Sequence, residues 1–266
     1  MENNFRIEKE GNVAWLILSR PEKRNSMNWQ FFADLQDNFR MLDDDPETRA
    51  VVIRAEGKMF TSGLDLEGAT ALLGDNSASS REEMRRFILR LQDGISAVER
   101  CRKPVIAAVH GWCIGGGVDL LTACDIRIAT ADAVFSVREA KIGIIADLGT
   151  LQRLPTIIGH GWSRELALTG RDFKAEEAQK IGFITHICRT QEDLYKKAAE
   201  IAGEIAAMPP LAVQGSKDVL INGRDNGVYE GLRYVAQKNA AQIPSDDMIE
   251  AIAAFMEKRK PTFTGH

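Results

Sequence analysis

Three features of the sequence predict an α/β fold. Short β-rich runs closed by Gly or Pro alternate with stretches of helical apolar periodicity. Those runs are too short to be helices themselves, and from about Lys174 the texture changes toward long helical stretches. Val13–Leu18, closed by Ser19-Arg20-Pro21, reads as a strand, and so does Ala50–Ala55, which ends at Gly57. Between them, residues 28–42 place apolar side chains at helical spacing. Residues 81–101 do the same ahead of a third strand at 104–109, which Gly111 ends. Residues 125–129 and 134–137 read as the next two strands. Further on, 192–208, 227–241 and 246–260 are rich in Ala, Glu, Lys and Leu. They read as helices, with Pro209-Pro210 and Pro244-Ser245-Asp246 as start signals. Residues 68–80, with Gly74-Asp75-Asn76-Ser77, read as a mobile loop.

The 266 residues carry 34 Lys and Arg against 38 Asp and Glu, and 44% are hydrophobic. That length holds one large domain or two unequal ones with a sizeable core. The net charge of −4 argues against a basic nucleic-acid-binding face. No apolar run approaches the roughly 18 residues that span a bilayer, so no membrane partner is expected. The opening Met1-Glu2-Asn3-Asn4-Phe5-Arg6 lacks the basic-then-apolar pattern of a signal peptide. The ending Thr262-Phe263-Thr264-Gly265-His266 is not a peroxisomal S-K-L signal, and a cytoplasmic location is therefore expected. Cys101, Cys113, Cys124 and Cys188 show no C-x-x-C spacing and sit in or beside apolar segments. Reduced core thiols and no metal are expected.

Two glycine junctions follow strands directly. One is Gly57-Lys58-Met59-Phe60-Thr61-Ser62-Gly63-Leu64-Asp65-Leu66, the other Gly111-Trp112-Cys113-Ile114-Gly115-Gly116-Gly117-Val118-Asp119. Glycine lets the backbone approach a ligand and turn main-chain N–H groups toward it, although each junction alone reads better as a tight strand-to-helix turn. Neither has the spacing of a phosphate loop or of a dinucleotide site, and no G-x-S-x-G or H-E-x-x-H occurs. Three acids follow. Asp119 stands at a helix start and Asp147 before another, where capping is the plain reading of each. Glu139 lies between them. Asp147 is flanked by Ile144, Ile145, Ala146 and Leu148, so an apolar pocket would raise its pKa and suit it to proton transfer.

As an ordered set, several segments resemble the crotonase (enoyl-CoA hydratase/isomerase) family over nearly the whole chain. They are Arg20-Pro21 with Asn25-Ser26-Met27, Phe60 to Leu66, Pro104 to Gly111, Gly115-Gly116-Gly117, Ala123 to Arg127, and Gln152-Arg153-Leu154-Pro155. The resemblance implies a crotonase spiral of repeated ββα units as a catalytic core over residues 1–198. It implies a C-terminal helical region, 199–266, that builds trimers or a dimer of trimers. The implied substrate is an acyl-CoA thioester, with coenzyme A carried as part of the substrate and no further cofactor. Its carbonyl oxygen would sit between the backbone N–H groups of Leu64 and Gly116. Lys23, Arg24 and Ser26 match where the family wraps CoA, and Ser62, Gly63, Leu64, Asp65, Leu66 and Gly116 would line the substrate site.

Within that family the acids select a branch. Typical hydratases carry glutamate at both 119 and 139, whereas this chain has the shorter Asp119 and adds Asp147. Asp119, Glu139 and Asp147 resemble the dienoyl-CoA isomerase branch, as do Gly117-Val118-Asp119-Leu120 and Val213-Gln214-Gly215-Ser216-Lys217. Moving a 3,5-diene into 2,4-conjugation takes a proton from C2 and returns one at C6. Two carboxylates serve two distant carbons better than one. Glu139 and Asp147 are the expected pair and Asp119 the orienting acid. Hydration of a 2-enoyl-CoA is the alternative, and a non-catalytic acyl-CoA- or RNA-binding scaffold a remoter one.

Overall fold

A computed structural model of the chain describes residues 4–65 and 77–266. Leu66 and most of the loop expected at 68–80 lie outside the described residues; Ser77 and the three residues after it begin a helix. The strands are β1 (Phe5–Glu10), β2 (Val13–Leu18), β3 (Ala50–Ala55), β4 (Val105–Val109), β5 (Trp112–Ile114), β6 (Ile126–Thr130), β7 (Val134–Ser136), β8 (Phe173–Lys174) and β9 (His186–Cys188). The helices are α1 (Trp29–Asp44), α2 (Ala78–Arg100), α3 (Gly116–Ala123), α4 (Thr150–Thr169), α5 (Ala175–Lys180), α6 (Gln191–Ala206), α7 (Pro210–Gln242) and α8 (Asp246–Glu257).

Among the described residues the strands form two sheets. The larger runs β1-β2-β3-β4-β6-β9, parallel except for the β1–β2 hairpin; the smaller runs β5-β7-β8. After β4, and again after β6, the chain turns and lays a second short strand into the smaller sheet, β5 and then β7. Thr61, after β3, joins the same ladder through a bridge to Cys113. Each turn of the chain thus adds a rung to both sheets, and that is the spiral of the crotonase fold. Gly111 makes one such corner with a φ of 59°.

The parallel sheet is covered on both faces, as such sheets must be. Alternation along each strand sorts the side chains. Leu16, Val51, Ile53, Val105 and Ala107 face the α1 and α2 side, in one cluster with Phe31, Leu35 and Ile95. Trp15, Ile17, Val52, Ile106 and Ala108 face α6, in a second cluster with Leu194, Ala198 and Ala202. The division drawn after residue 198 falls inside α6, a continuous helix whose buried residues roof the main sheet. The break comes instead at Met208-Pro209, where the chain leaves the sheet. Beyond it α7 is tethered by Lys217, whose Nζ donates to Asp125 Oδ2 at 2.7 Å and to the Lys103 carbonyl at 3.1 Å.

The sequence left β1, β5, β8 and β9 unassigned. β1 buries only its Phe5 end, and β5 has three residues inside a glycine junction. The helix expected at 227–241 is the second part of α7, which begins at Pro210 and breaks at Gly227 (φ 82°, ψ 172°). At the base of the smaller sheet Phe135, Phe173 and Phe183 form a triangle with ring centroids 5.3–5.5 Å apart. Phe135 is fully buried and leads directly to the segment that carries Glu139. Phe135→Ala should cost about 3–5 kcal/mol of unfolding free energy, read as a lower urea midpoint at unchanged slope.

Candidate active site

The two glycine junctions meet. A β-carbon on Gly63, whose φ is 82°, would lie 2.6 Å from the Ile114 carbonyl oxygen; one on Gly117 would lie 2.5 Å from Thr61 Cγ2 and 2.8 Å from Cys113 Sγ. Only glycine lets the loops approach this closely. Met27 N donates to Gly63 O at 2.8 Å and Asp65 N to Met27 O at 3.0 Å. In this parallel bridge the N–H of Leu64 itself faces away from Met27. Gly116 is the first residue of α3, where N–H groups have no intrahelical acceptor. Neither N–H donates to another group among the described residues.

Both junctions border a cavity of about 270 Å³. Ser62, Gly63, Leu64 and Gly116 line it together with Asp119, Glu139 and Asp147. Lys23, Arg24, Ser26 and Asp65 do not. Ser26 Oγ donates to Asp65 Oδ2 at 3.2 Å beside the cavity, while Lys23 and Arg24 are exposed on a turn that the Ser62 N–H ties down through the Arg24 carbonyl, at 3.0 Å. Ile144 and Leu148, named from the sequence as apolar neighbours of Asp147, also line the cavity, while two further lining residues, Arg138 and Ile142, carried no signal strong enough to single them out. Arg138 reaches away to Asp172 at 2.5 Å and stacks over Trp112, so its charge is already engaged.

The capping readings of the acids are replaced by a different arrangement. Asp119 is 1% exposed on α3, and its Oδ1 accepts the Thr150 N–H at 2.7 Å. It therefore caps α4, 31 residues away, and not its own helix. Asp147 caps nothing: the N-cap position of α4 is Gly149, which has no side chain to offer. Gln92 Nε2 instead donates to the Asp147 carbonyl at 2.6 Å and holds that backbone. Glu139 sits in a short 3-10 turn, Glu139–Ile142, and its Oε2 is buried with no partner among the described residues.

Burial dominates the electrostatics. It pushes Asp119 up to about 6 and, aided by the charges of Asp119 and Asp147, Glu139 up to about 7; burial also raises Asp147. At these values Asp119 and Glu139 exchange protons near neutral pH. The four cysteines are free and buried, and among the described residues no His, Cys, Asp and Glu cluster is arranged to hold a metal. No described helix is long and apolar enough to cross a membrane.

By this spiral and its paired glycine junctions, and by the match of the enoyl-CoA hydratase/isomerase family model to residues 8–266, the chain belongs to the enoyl-CoA hydratase/isomerase family. It is 43% identical over 264 residues to the peroxisomal Delta(3,5)-Delta(2,4)-dienoyl-CoA isomerase of Arabidopsis thaliana, covering 97% of this chain and 95% of that protein. It is 44% identical over 254 residues to the mitochondrial Delta(3,5)-Delta(2,4)-dienoyl-CoA isomerase of Homo sapiens, covering 94% and 77%. A solved enoyl-CoA hydratase from Bacillus anthracis superposes with a TM-score of 0.92 at 32% identity, over 99% of this chain and 100% of that one.

These relatives overturn the expected cytoplasmic location, since they are named as peroxisomal and mitochondrial. The physical reason is that compartment is written in address segments read by receptors. The lack of one signal-peptide pattern and of one S-K-L ending therefore does not fix it.

The raised carboxyls have a cost in stability that depends on pH. A carboxyl whose folded pKa exceeds its unfolded one binds its proton more tightly when folded. Its contribution to stability is present below the unfolded value and is lost as pH rises through the folded one. For Glu139 that window runs from the usual 4.5 to about 7. Removing this titration in Glu139→Gln should spare the variant about 3 kcal/mol of the stability that the wild type loses between about pH 4 and pH 8. Urea unfolding of both proteins at the two pH values measures it. Equal losses in both proteins would refute the assignment.

Proposed function

We propose that the protein isomerises 3,5-dienoyl-CoA to 2,4-dienoyl-CoA in the oxidation of unsaturated fatty acids. The observation that carries this reading is the pairing of two carboxyls held above their ordinary pKa by burial, Glu139 and Asp147, with two backbone N–H groups that have no partner among the described residues, all around one cavity. The relatives named as dienoyl-CoA isomerases support the same reading.

In the proposed mechanism the thioester oxygen lies between the N–H groups of Leu64 and Gly116. As a proton leaves C2, negative charge moves onto that oxygen and along the diene. Two fixed donors in a dry cavity stabilise it, each by roughly 3 kcal/mol. Glu139 Oε1 lies 3.4 Å from the point a β-carbon of Gly115 would occupy, beside the oxyanion donors. C2 is bonded to the thioester carbonyl carbon, so Glu139 is the base at C2. Asp147 is then the acid at C6, its proton retained as the apolar acyl chain covers it and removes the remaining water. Asp119 keeps Asp147 in reach by holding the start of α4. The reaction needs no cofactor beyond the CoA of the substrate, and Lys23, Arg24, Ser26 and Asp65 would meet that CoA outside the cavity.

The same reading extends to self-association as a trimer or a dimer of trimers. Val228, Tyr229 and Leu232 on α7, with Ile252, Phe255 and Met256 on α8, are exposed apolar side chains of the kind that mark subunit contacts. Phe255→Glu should lower the mass measured by sedimentation, and an unchanged mass would exclude α8 from the contact.

The activity is tested by mixing the protein with a 3,5-dienoyl-CoA and following the absorbance of the conjugated product. Asp147→Asn should lower the rate by about 10²–10⁴-fold. An unchanged rate would eliminate the two-carboxyl mechanism. Faster hydration of a 2-enoyl-CoA than isomerisation of the diene would assign the chain to the hydratase branch, and binding of acyl-CoA without turnover would make it a scaffold.

A further inference from the structure

Asp147 has a second side. Besides the cavity it shares with Glu139, it lines another of about 580 Å³, which Leu148 also borders. The two cavities are thus separated by the Asp147-Leu148 segment. The second is polar: Gln92, Glu99 and Arg153 line it, and the exposed Gln152 and Thr156 of α4 open it to bulk solvent. Ion pairs run along its wall. Arg153 Nε donates to Glu99 Oε1 at 3.1 Å, and Arg224 reaches the same oxygen at 2.5 Å. A space of this size with several polar partners admits water readily.

A two-carboxyl isomerisation leaves the enzyme in the wrong protonation state. At the end of a turnover Glu139 carries the proton taken from C2 and Asp147 has given its own to C6. The next turnover needs the reverse. Building on the isomerase reading, we propose that the second cavity is the proton-reloading route of Asp147. Water there delivers one proton to the Asp147 carboxylate after each turnover, while Glu139 releases one to solvent through the substrate mouth once product has left. One proton enters and one leaves, so the cycle closes without any other reactant. The approach from behind lets Asp147 reload without admitting water to the face where the dienolate forms.

The experiment uses the full-length protein, a 3,5-dienoyl-CoA and deuterium oxide. The wild-type product should carry solvent deuterium at C6, read by NMR. Thr156→Trp and Gln152→Phe, on exposed turns of α4, should obstruct the cavity mouth. Each should lower kcat by more than half while kcat/KM holds, because reloading follows product release and kcat/KM reports only on steps from free enzyme to the transition state. A shifted Asp147 would lower both constants together, and that result would overturn the inference. So would retention of substrate hydrogen at C6 in the wild type, or an unchanged kcat in both variants. Failure of the wild type to isomerise any diene would refute the isomerase reading itself, and is recognised before any label is measured.

Discussion

The close contact between Gly63 and the Ile114 carbonyl is the constraint from which the site follows. Strand ends in a parallel sheet all point to one edge, but that alone does not bring two backbone N–H groups to one atom. Here the chain after β3 is pinned against the chain after β4, glycine against carbonyl, with Gly117 seated on Thr61 and Cys113. A single methyl group at either point would force the loops apart. The two N–H groups proposed as oxyanion donors are therefore placed by packing, and their placement owes nothing to side-chain chemistry.

The acids depend on a second, longer connection. Asp119 belongs to the helix that starts at the donor Gly116, and its carboxylate closes onto the first N–H of α4. One hydrogen bond thus links the donor end of the cavity to the segment bearing Asp147. The shorter side chain at 119 is committed to this bond. A glutamate there, as hydratases have, would extend one methylene further and could not keep the same geometry from the same backbone. The raised pKa values of the buried Asp119 and Glu139 and the half-buried Asp147 are the counterpart of the reactivity proposed for them. Groups that titrate near neutrality are groups the fold would be more stable without.

Much of this was legible in the residues. β2, β3 and β4 announced themselves as unbroken apolar runs because both of their faces are buried, and α1 and α2 because one face is. The three acids and both junctions were visible as residue types at telling positions. What escaped depended on distant contacts. The partner of Asp119 lies 31 positions away, and nothing local to Asp119 distinguishes capping α3 from capping α4. The same holds for Gln92, a polar residue on an amphipathic helix whose contact with Asp147 spans 55 positions. Residue 198, the expected edge of the core, lies inside α6, and composition alone does not mark that α6, unlike α7 and α8, covers this face of the sheet.

That cover has a consequence for biosynthesis. Trp15, Ile17, Val52, Ile106 and Ala108 are in place on their strands long before residues 191–206 exist to shield them. As the chain emerges from the ribosome, one whole face of the sheet stays bare until about three-quarters of the protein has been made. During that interval a sticky, nearly complete α/β layer is exposed to the cell. The segment α6 is the one whose arrival ends that exposure.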